Sequence, residues 1–544
     1  MKAKRKSPRK DISTKNAYLL LIAILIFSSV LSLVFYQGLS LYGDDPNFTL
    51  LLPSIYHNFF NESTNIYSLR PAFLYPFAFF SKLFNFSTFG AGFYSFICYL
   101  FSIVVTFLIG REIHSNKGGL LGSFIFAIYP GVIKANGTAG EFIPVVFFLG
   151  LAVLLFIYGK KSGNKWMYAF SGASTFIGAL INPLAYVYFL LFFIYIMADF
   201  VRCLVFKSGN IKYEYLVYFA GFVAAVLLWG LVNLHLAYNG NPFYEFTYTS
   251  SFYAYPKTTI PYPNTSLSNY VDAFFPYSFN GAGAPPMQLI SGPLWANEAG
   301  FFGYFAAALG VFLLAIRERK YYFLLFWAAF VIGYLEFGTM SIMHYQVLIK
   351  SVTYLLLVAM PIALVVGIGT LEVGNRLDGK RALGKVFVWS VVIFLFATAL
   401  PLYWSYYIFN YYTMIYPKMI AASLVNAPAL SNSSLYGPYF TMGYVIYYMG
   451  YPTMKAFGEY GNGEYGTTLL PTCSSIPNGS YIIIPDASTL SEINSFVPFA
   501  LNESWVADPS ECNFTLYADL YNYTQIGNIN TGETLLSGNI YYKN

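Results

Sequence analysis

Apolar residues come along this chain in long runs, separated by short polar stretches in which Lys and Arg collect. A bilayer crossing takes ~20 mostly apolar residues. The pattern predicts eleven spans: 17–36, 89–110, 119–135, 141–158, 166–181, 184–200, 215–237, 300–316, 321–338, 348–369 and 386–404. A further apolar stretch at 71–84 contains Pro71 and Pro76 and is too short to cross. It reads as a membrane-surface or re-entrant segment. The first span is expected to stay in the protein: its apolar run is long, and no small-x-small cleavage site follows it.

Cytoplasmic loops collect basic residues. Lys2, Lys4, Arg5, Lys6, Arg9, Lys10 and Lys15 precede the first span, so the tail 1–16 is expected inside. Alternation through eleven spans then places 22 of the 30 Lys and Arg inside but only 7 of the 24 Asp and Glu. Asn-x-Ser/Thr triplets begin at Asn47, Asn61, Asn85, Asn136, Asn264, Asn432, Asn478, Asn502, Asn513 and Asn522, and all ten fall outside. That one-sidedness points to an exterior exposed to N-glycosylation.

Three large pieces therefore face outward: 37–88, the Tyr-, Pro- and Asn-rich loop 238–299, and the tail 405–544. In the tail, Leu435–Tyr436 leads through Gly437–Pro438 to a predicted helix ending near Tyr448. Ser480–Pro485 reads as a buried strand and Asp486–Ser488 as a helix cap. A small α/β or α+β exterior domain is expected there. Cys473 and Cys512 are its candidate disulfide, while Cys98 and Cys203 lie in or beside apolar runs.

Composition narrows the class. Of 544 residues, 57% are hydrophobic and 10% charged, against ~25% charged in soluble domains. Both an ordinary soluble enzyme and a disordered chain are excluded. The fold class expected is an α-helical polytopic membrane protein with that exterior domain. A net charge of +6 follows from the inner loops and implies no nucleic-acid partner.

Candidate chemistry concentrates outside. Asp44 and Asp45, in Tyr42-Gly43-Asp44-Asp45-Pro46-Asn47-Phe48, follow the outer end of the first span. Adjacent carboxylates near a bilayer repel one another and invite a metal, a cation or a proton. A helix-capping turn before Pro46 is the alternative. Arg70, in Arg70-Pro71-Ala72-Phe73-Leu74, is one of eight exterior basic residues. It could grip phosphate with its planar fork or snorkel at the interface. Glu141 opens the fourth span and could equally complement a helix dipole. The tyrosines of 238–299 suit either a substrate lid or an interfacial belt, with Glu245, Asp272 and Glu298 as acidic candidates there. Divalent-metal binding is open to exterior Asp, Glu, His57 and His344, but no metal is assigned. His57 lies on the aromatic run Tyr56-His57-Asn58-Phe59-Phe60, where packing is the commoner role, and His235 sits inside a span.

These motifs resemble the GT-C membrane glycosyltransferases, in the branch of protein O-mannosyltransferases and bacterial aminoarabinose transferases. The acidic pair after the first span and the basic-Pro element at Arg70-Pro71 carry the likeness. Ala72 replaces the second Pro common in that branch, and Glu141 stands where an Asp is frequent. Lys350-Ser351-Val352-Thr353-Tyr354 through Pro361 loosely matches a late basic-aromatic element. The resemblance implies a polyprenyl-phosphate sugar as donor and a lipid, glycan or protein acceptor at the outer face of the cell membrane. It implies Asp44 or Asp45 as base, with Asp44 preferred, and Arg70 and Lys350 on the donor phosphate. It gives Glu141 the task of orienting the acceptor or ligating a metal. The domain plan expected is a basic tail 1–16, a transmembrane transferase domain 17–404 and the exterior domain 405–544. The sequons suit a glycosylated, archaeal-like envelope. A polytopic transporter and a non-catalytic envelope protein are the alternatives. Transfer of a preassembled oligosaccharide is disfavoured because the Trp-Trp-Asp signature is absent.

Overall fold

The computed structural model describes residues 11–39, 48, 49, 52, 55, 70–206, 213–236, 241–243, 321–338, 354, 356–377, 382–425, 434–436, 444, 445, 447–449, 455–457, 478–485, 523–530 and 537–543. The helices are α1 Thr14–Val34, α2 Pro71–Leu83, α3 Thr88–Ile113, α4 Asn116–Ala127, α5 Pro130–Asn136, α6 Phe142–Ser162, α7 Lys165–Ile181, α8 Tyr186–Phe206, α9 Leu216–Leu236, α10 Tyr322–Phe337, α11 Leu356–Leu377 and α12 Leu383–Val425.

Among the described residues, seven helical segments are long and apolar enough to cross a bilayer, or eight if α4 and α5 count as one bent crossing. Their neighbours decide how buried each is. In α11, 83% of the apolar window is buried, whereas α1 and α12 bury 22% and 17%. α11 is thus a central helix, and α1 and α12 present Leu, Ile, Val and Trp outward, as lipid-facing helices do. Close approach in the middle relies on small residues: a Cβ on Gly367 would lie 2.7 Å from the Gly122 nitrogen.

The predicted span 119–135 is not one straight helix. It breaks after Ala127, and α4 and α5 meet at 63°. Pro130 explains the break, because it has no N–H to continue the ladder and holds Tyr129 extended at φ −68°, ψ 125°. The carbonyls freed at the break find hydroxyls. Tyr99 donates to Ala127 O at 2.8 Å and Tyr403 donates to Ile128 O. Buried in an apolar bundle, neither carbonyl could go unpaired cheaply.

Other spans match helices with shifted ends. The 348–369 span is displaced to Leu356–Leu377, which buries Glu372 against His114 Nε2 at 3.1 Å. The 71–84 stretch is the 13-residue α2, too short to cross. The span 300–316 lies outside the described residues.

α12 runs unbroken past 404 to Val425. Beyond it lies a five-stranded mixed sheet in the order β2-β1-β3-β5-β4, formed by β1 Ser434–Tyr436, β2 Lys455–Phe457, β3 Tyr481–Pro485, β4 Tyr523–Asn530 and β5 Ser537–Lys543. β1 is parallel to β2 and β3, whereas β5 is antiparallel to β3 and β4. Tyr481 and Ile483 are buried, two apart on one face. Residues 444, 445 and 447–449 are helical, and Tyr444 and Tyr447 join the same apolar core as the membrane helices.

Candidate functional site

One end of the bundle gathers the C-terminus of α1, the N-termini of α2, α3 and α6, and the C-terminus of α7. Arg70 caps α2, where Pro71 occupies the first helical position. Its carbonyl accepts from Phe73 N at 3.0 Å and Leu74 N at 2.9 Å, so the helix fixes its Cα. Glu141 caps α6 and is 1% exposed.

The two side chains form a buried ion pair, Arg70 Nη1 donating to Glu141 Oε2. Asn182 Nδ2 donates to the other carboxylate oxygen. Asn182 ends α7, and its own Oδ1 accepts from Leu184 N at 2.9 Å, which fixes the amide's orientation. The Arg70 Cζ lies 5.6 Å from the centre of the Phe48 ring. Isolated buried charges are costly, and geometry of this kind offsets the desolvation. One turn along α2, burial pushes the Tyr75 phenol up.

α3 sets the spacing of the site. Tyr94 Oη donates to Ala72 O at 3.1 Å and holds α2. Ser95 Oγ donates to Gly140 O at 2.6 Å and holds the turn before Glu141. That turn is also strapped to the end of α1. Gly137 O accepts from Gln37 N at 3.2 Å and Gly38 N at 2.6 Å, and Ser32 Oγ donates to Asn136 Oδ1 at 2.5 Å. Gly38 is required: its φ is +78°, and a Cβ there would lie 2.2 Å from Thr88 O.

The structure thus brings Arg70 and Glu141 together. Asp44, Asp45, Lys350, Glu245, Asp272, Glu298, Cys473, Cys512, His57 and His344 lie outside the described residues. The described flanks of the acidic pair both belong to the site, Gly38 on the turn before Glu141 and Phe48 beneath Arg70. Asn182 escaped the sequence reading. Its signal was a polar residue between an apolar span and Pro183.

One sequon is corrected. Asn136 is 0% exposed and its side-chain oxygen is taken by Ser32, so in the folded protein it cannot accept a glycan. Asn85 and Asn478 are exposed, and the other seven triplets begin outside the described residues. Among the described residues no group of three His, Cys, Asp or Glu could hold a metal. Glu141 itself already accepts from a guanidinium and an amide, a poor setting for a metal ligand.

No protein-family model matches the chain, and no curated protein does. Solved structures do match. ArnT from Cupriavidus metallidurans bound to undecaprenyl phosphate superposes with a TM-score of 0.59 at 10% identity, over 97% of this chain and 98% of that one. Its apo state gives 0.60 over the same shares. The Archaeoglobus fulgidus oligosaccharyltransferase in the apo form gives 0.52 at 15% identity, over 90% of this chain and 69% of that one. The fold of this chain is therefore the one shared with these two proteins.

Proposed function

We propose that the chain is an integral membrane glycosyltransferase that moves a hexose or pentose from a polyprenyl-phosphate donor to a lipid, glycan or protein acceptor. The observation that carries this reading is the buried Arg70–Glu141–Asn182 cluster, packed with Gly38 and Phe48 that precede and follow Asp44-Asp45 in the sequence, in a fold shared along its length with ArnT solved with undecaprenyl phosphate.

The chemistry follows from those residues. The acceptor O–H or N–H attacks the anomeric carbon and gives its proton to Asp44 or Asp45. The bond from the anomeric carbon to the phosphate oxygen breaks, and its electrons leave with the polyprenyl phosphate. Arg70, with Lys350, offsets the negative charge gained by that phosphate. Glu141 acts as a positioning residue: its two oxygens hold Arg70 and Asn182, and through Arg70 it sets where the phosphate is met. Glu245 and Asp272 belong to the substrate loop. The lipid tail requires an apolar groove between helices.

Eleven spans with the N-terminus inside, a 405–544 exterior domain of α/β or α+β type stapled by Cys473–Cys512, and residence in the plasma membrane complete the reading. The orientation is supported by the one-sided placement of basic residues. Transfer from polyprenyl-phosphate sugars by the purified protein tests the function. Asp44→Asn or Asp45→Asn is expected to lower turnover by about 10²–10⁴-fold, the usual contribution of a general base. Full activity in both variants would remove the base assignment.

A further inference from the structure

Arg70 is connected to the chain beyond α12 through an unbroken series of buried rings. The guanidinium sits on Phe48, 5.6 Å from its centre. Phe48 packs on Phe73 with centroids 4.6 Å apart. Phe73 stacks on Phe77, its i+4 neighbour on α2, at 5.7 Å and 9°. Phe77 stacks on Tyr447 at 6.2 Å and 18°. Phe48, Phe73, Phe77 and Tyr447 are all at most 1% exposed. Tyr447 is also tied to the turn after α2, its Oη donating to Ser87 O at 2.9 Å and its ring meeting Phe86 edge-on at 5.8 Å.

We infer that Tyr447 is a positioning residue for Arg70, and that docking of the C-terminal domain onto α2 sets the geometry of the phosphate-gripping guanidinium. α2 is held at two points. Tyr94 of α3 grips its first turn, and Tyr447 grips its far half and the following turn. Close-packed interiors transmit displacement because few voids absorb it. Loss of the Tyr447 ring leaves Phe77 free to relax outward, and Phe73, Phe48 and Arg70 follow. The domain thereby serves the reaction centre without touching substrate. The phosphate part of this inference rests on the proposed transferase reading, whereas the coupling of Tyr447 to α2 does not.

The test compares full-length wild type with Tyr447→Ala, Tyr447→Phe, Arg70→Ala, Tyr447→Ala/Arg70→Ala and Phe156→Leu. Phe156 is an equally buried ring that packs on Tyr168 and Tyr215, in a cluster away from Arg70. Two quantities are read: hydrogen exchange of the 70–77 amides, and binding of undecaprenyl phosphate in nanodiscs. Tyr447→Ala is expected to speed exchange at 70–77 and weaken binding by about three- to tenfold, the range one aromatic pair contributes. Tyr447→Phe keeps the stack and should bind within about twofold of wild type. Tyr447→Ala should add nothing in the Arg70→Ala background. Phe156→Leu is expected to lower Tm and to leave both readouts unchanged. Unaltered exchange at 70–77 in Tyr447→Ala, or equal effects from Phe156→Leu, overturns the coupling. Faster exchange with equal binding by wild type and Arg70→Ala overturns the phosphate role given to Arg70 in the transferase reading and leaves the coupling standing.

Discussion

Arg70 and Glu141 show how a buried pair can be expensive and still be retained. Removing one partner strands the other's charge in an apolar site, which typically costs about 3–5 kcal/mol, whereas replacing both by apolar residues is often neutral or stabilising. Arg70→Met and Glu141→Leu should therefore each lower Tm sharply. The Arg70→Met/Glu141→Leu double variant should recover most of that loss while sugar transfer stays abolished. Thermal unfolding in detergent beside the transfer assay checks this, and a double variant less stable than both singles would show that the pair serves stability after all. In the sequence, Arg70 and Glu141 were legible because charge is so scarce outside. Their pairing across 71 positions was not, and neither was Asn182, because a lone amide after an apolar span carries no periodic or compositional mark.

At the scale of elements, hydrophobic run length located most helices but not where each one ends. Pro130 broke a span that the apolar pattern reads as continuous, and α12 ran on after its apolar run stopped. With 43 residues, α12 would be about 65 Å long if straight, roughly twice the ~30 Å hydrocarbon layer. Its far portion carries Lys418, whose ammonium lies 5.2 Å from the centre of the Tyr448 ring. Burial nonetheless holds Lys418 below the ordinary lysine range. The unfolded chain therefore keeps this proton to higher pH than the folded one. Stability consequently rises as pH climbs from the folded pKa towards the ordinary lysine value of ~10.4, and the contribution is missing at neutral pH. Lys418→Met should raise Tm at pH 7 and flatten the rise in stability on the acid side of the ordinary lysine pKa. An unchanged slope there in Lys418→Met would assign that slope to another group.

For the molecule as a whole, the distribution of charge gives direction to a bundle whose two ends are chemically unlike. The site end holds the Arg70–Glu141 pair in an otherwise charge-poor setting. At the other end Arg111 donates to Tyr18 Oη at 2.8 Å and Tyr158 Oη at 3.1 Å, and Lys161 donates to Glu112 Oε2 at 2.7 Å. Asp11 caps α4 there by accepting from Asn116 N at 2.9 Å. By the tendency of basic residues to stay inside, this end is expected to face the cytoplasm, which would put the Arg70 site and the sheet of the tail outside. Two exposed asparagines report on the two ends: Asn164 in the turn between α6 and α7, and Asn478 in the turn before β3. Cys98 and Cys203 are buried, and replacing Cys473 and Cys512 by Ser leaves a low background for thiol labelling. In intact cells, a membrane-impermeant maleimide should label Asn478→Cys at once and Asn164→Cys only after permeabilisation. The reverse pattern would place the Arg70 site in the cytoplasm and invert the side on which the proposed donor must be presented. Labelling of both positions in intact cells would mean that the segment between them crosses the bilayer an even number of times. The spans predicted from 166–181 onward total seven, so that result would remove or add a crossing among them, and 300–316 is the one with no described helix behind it.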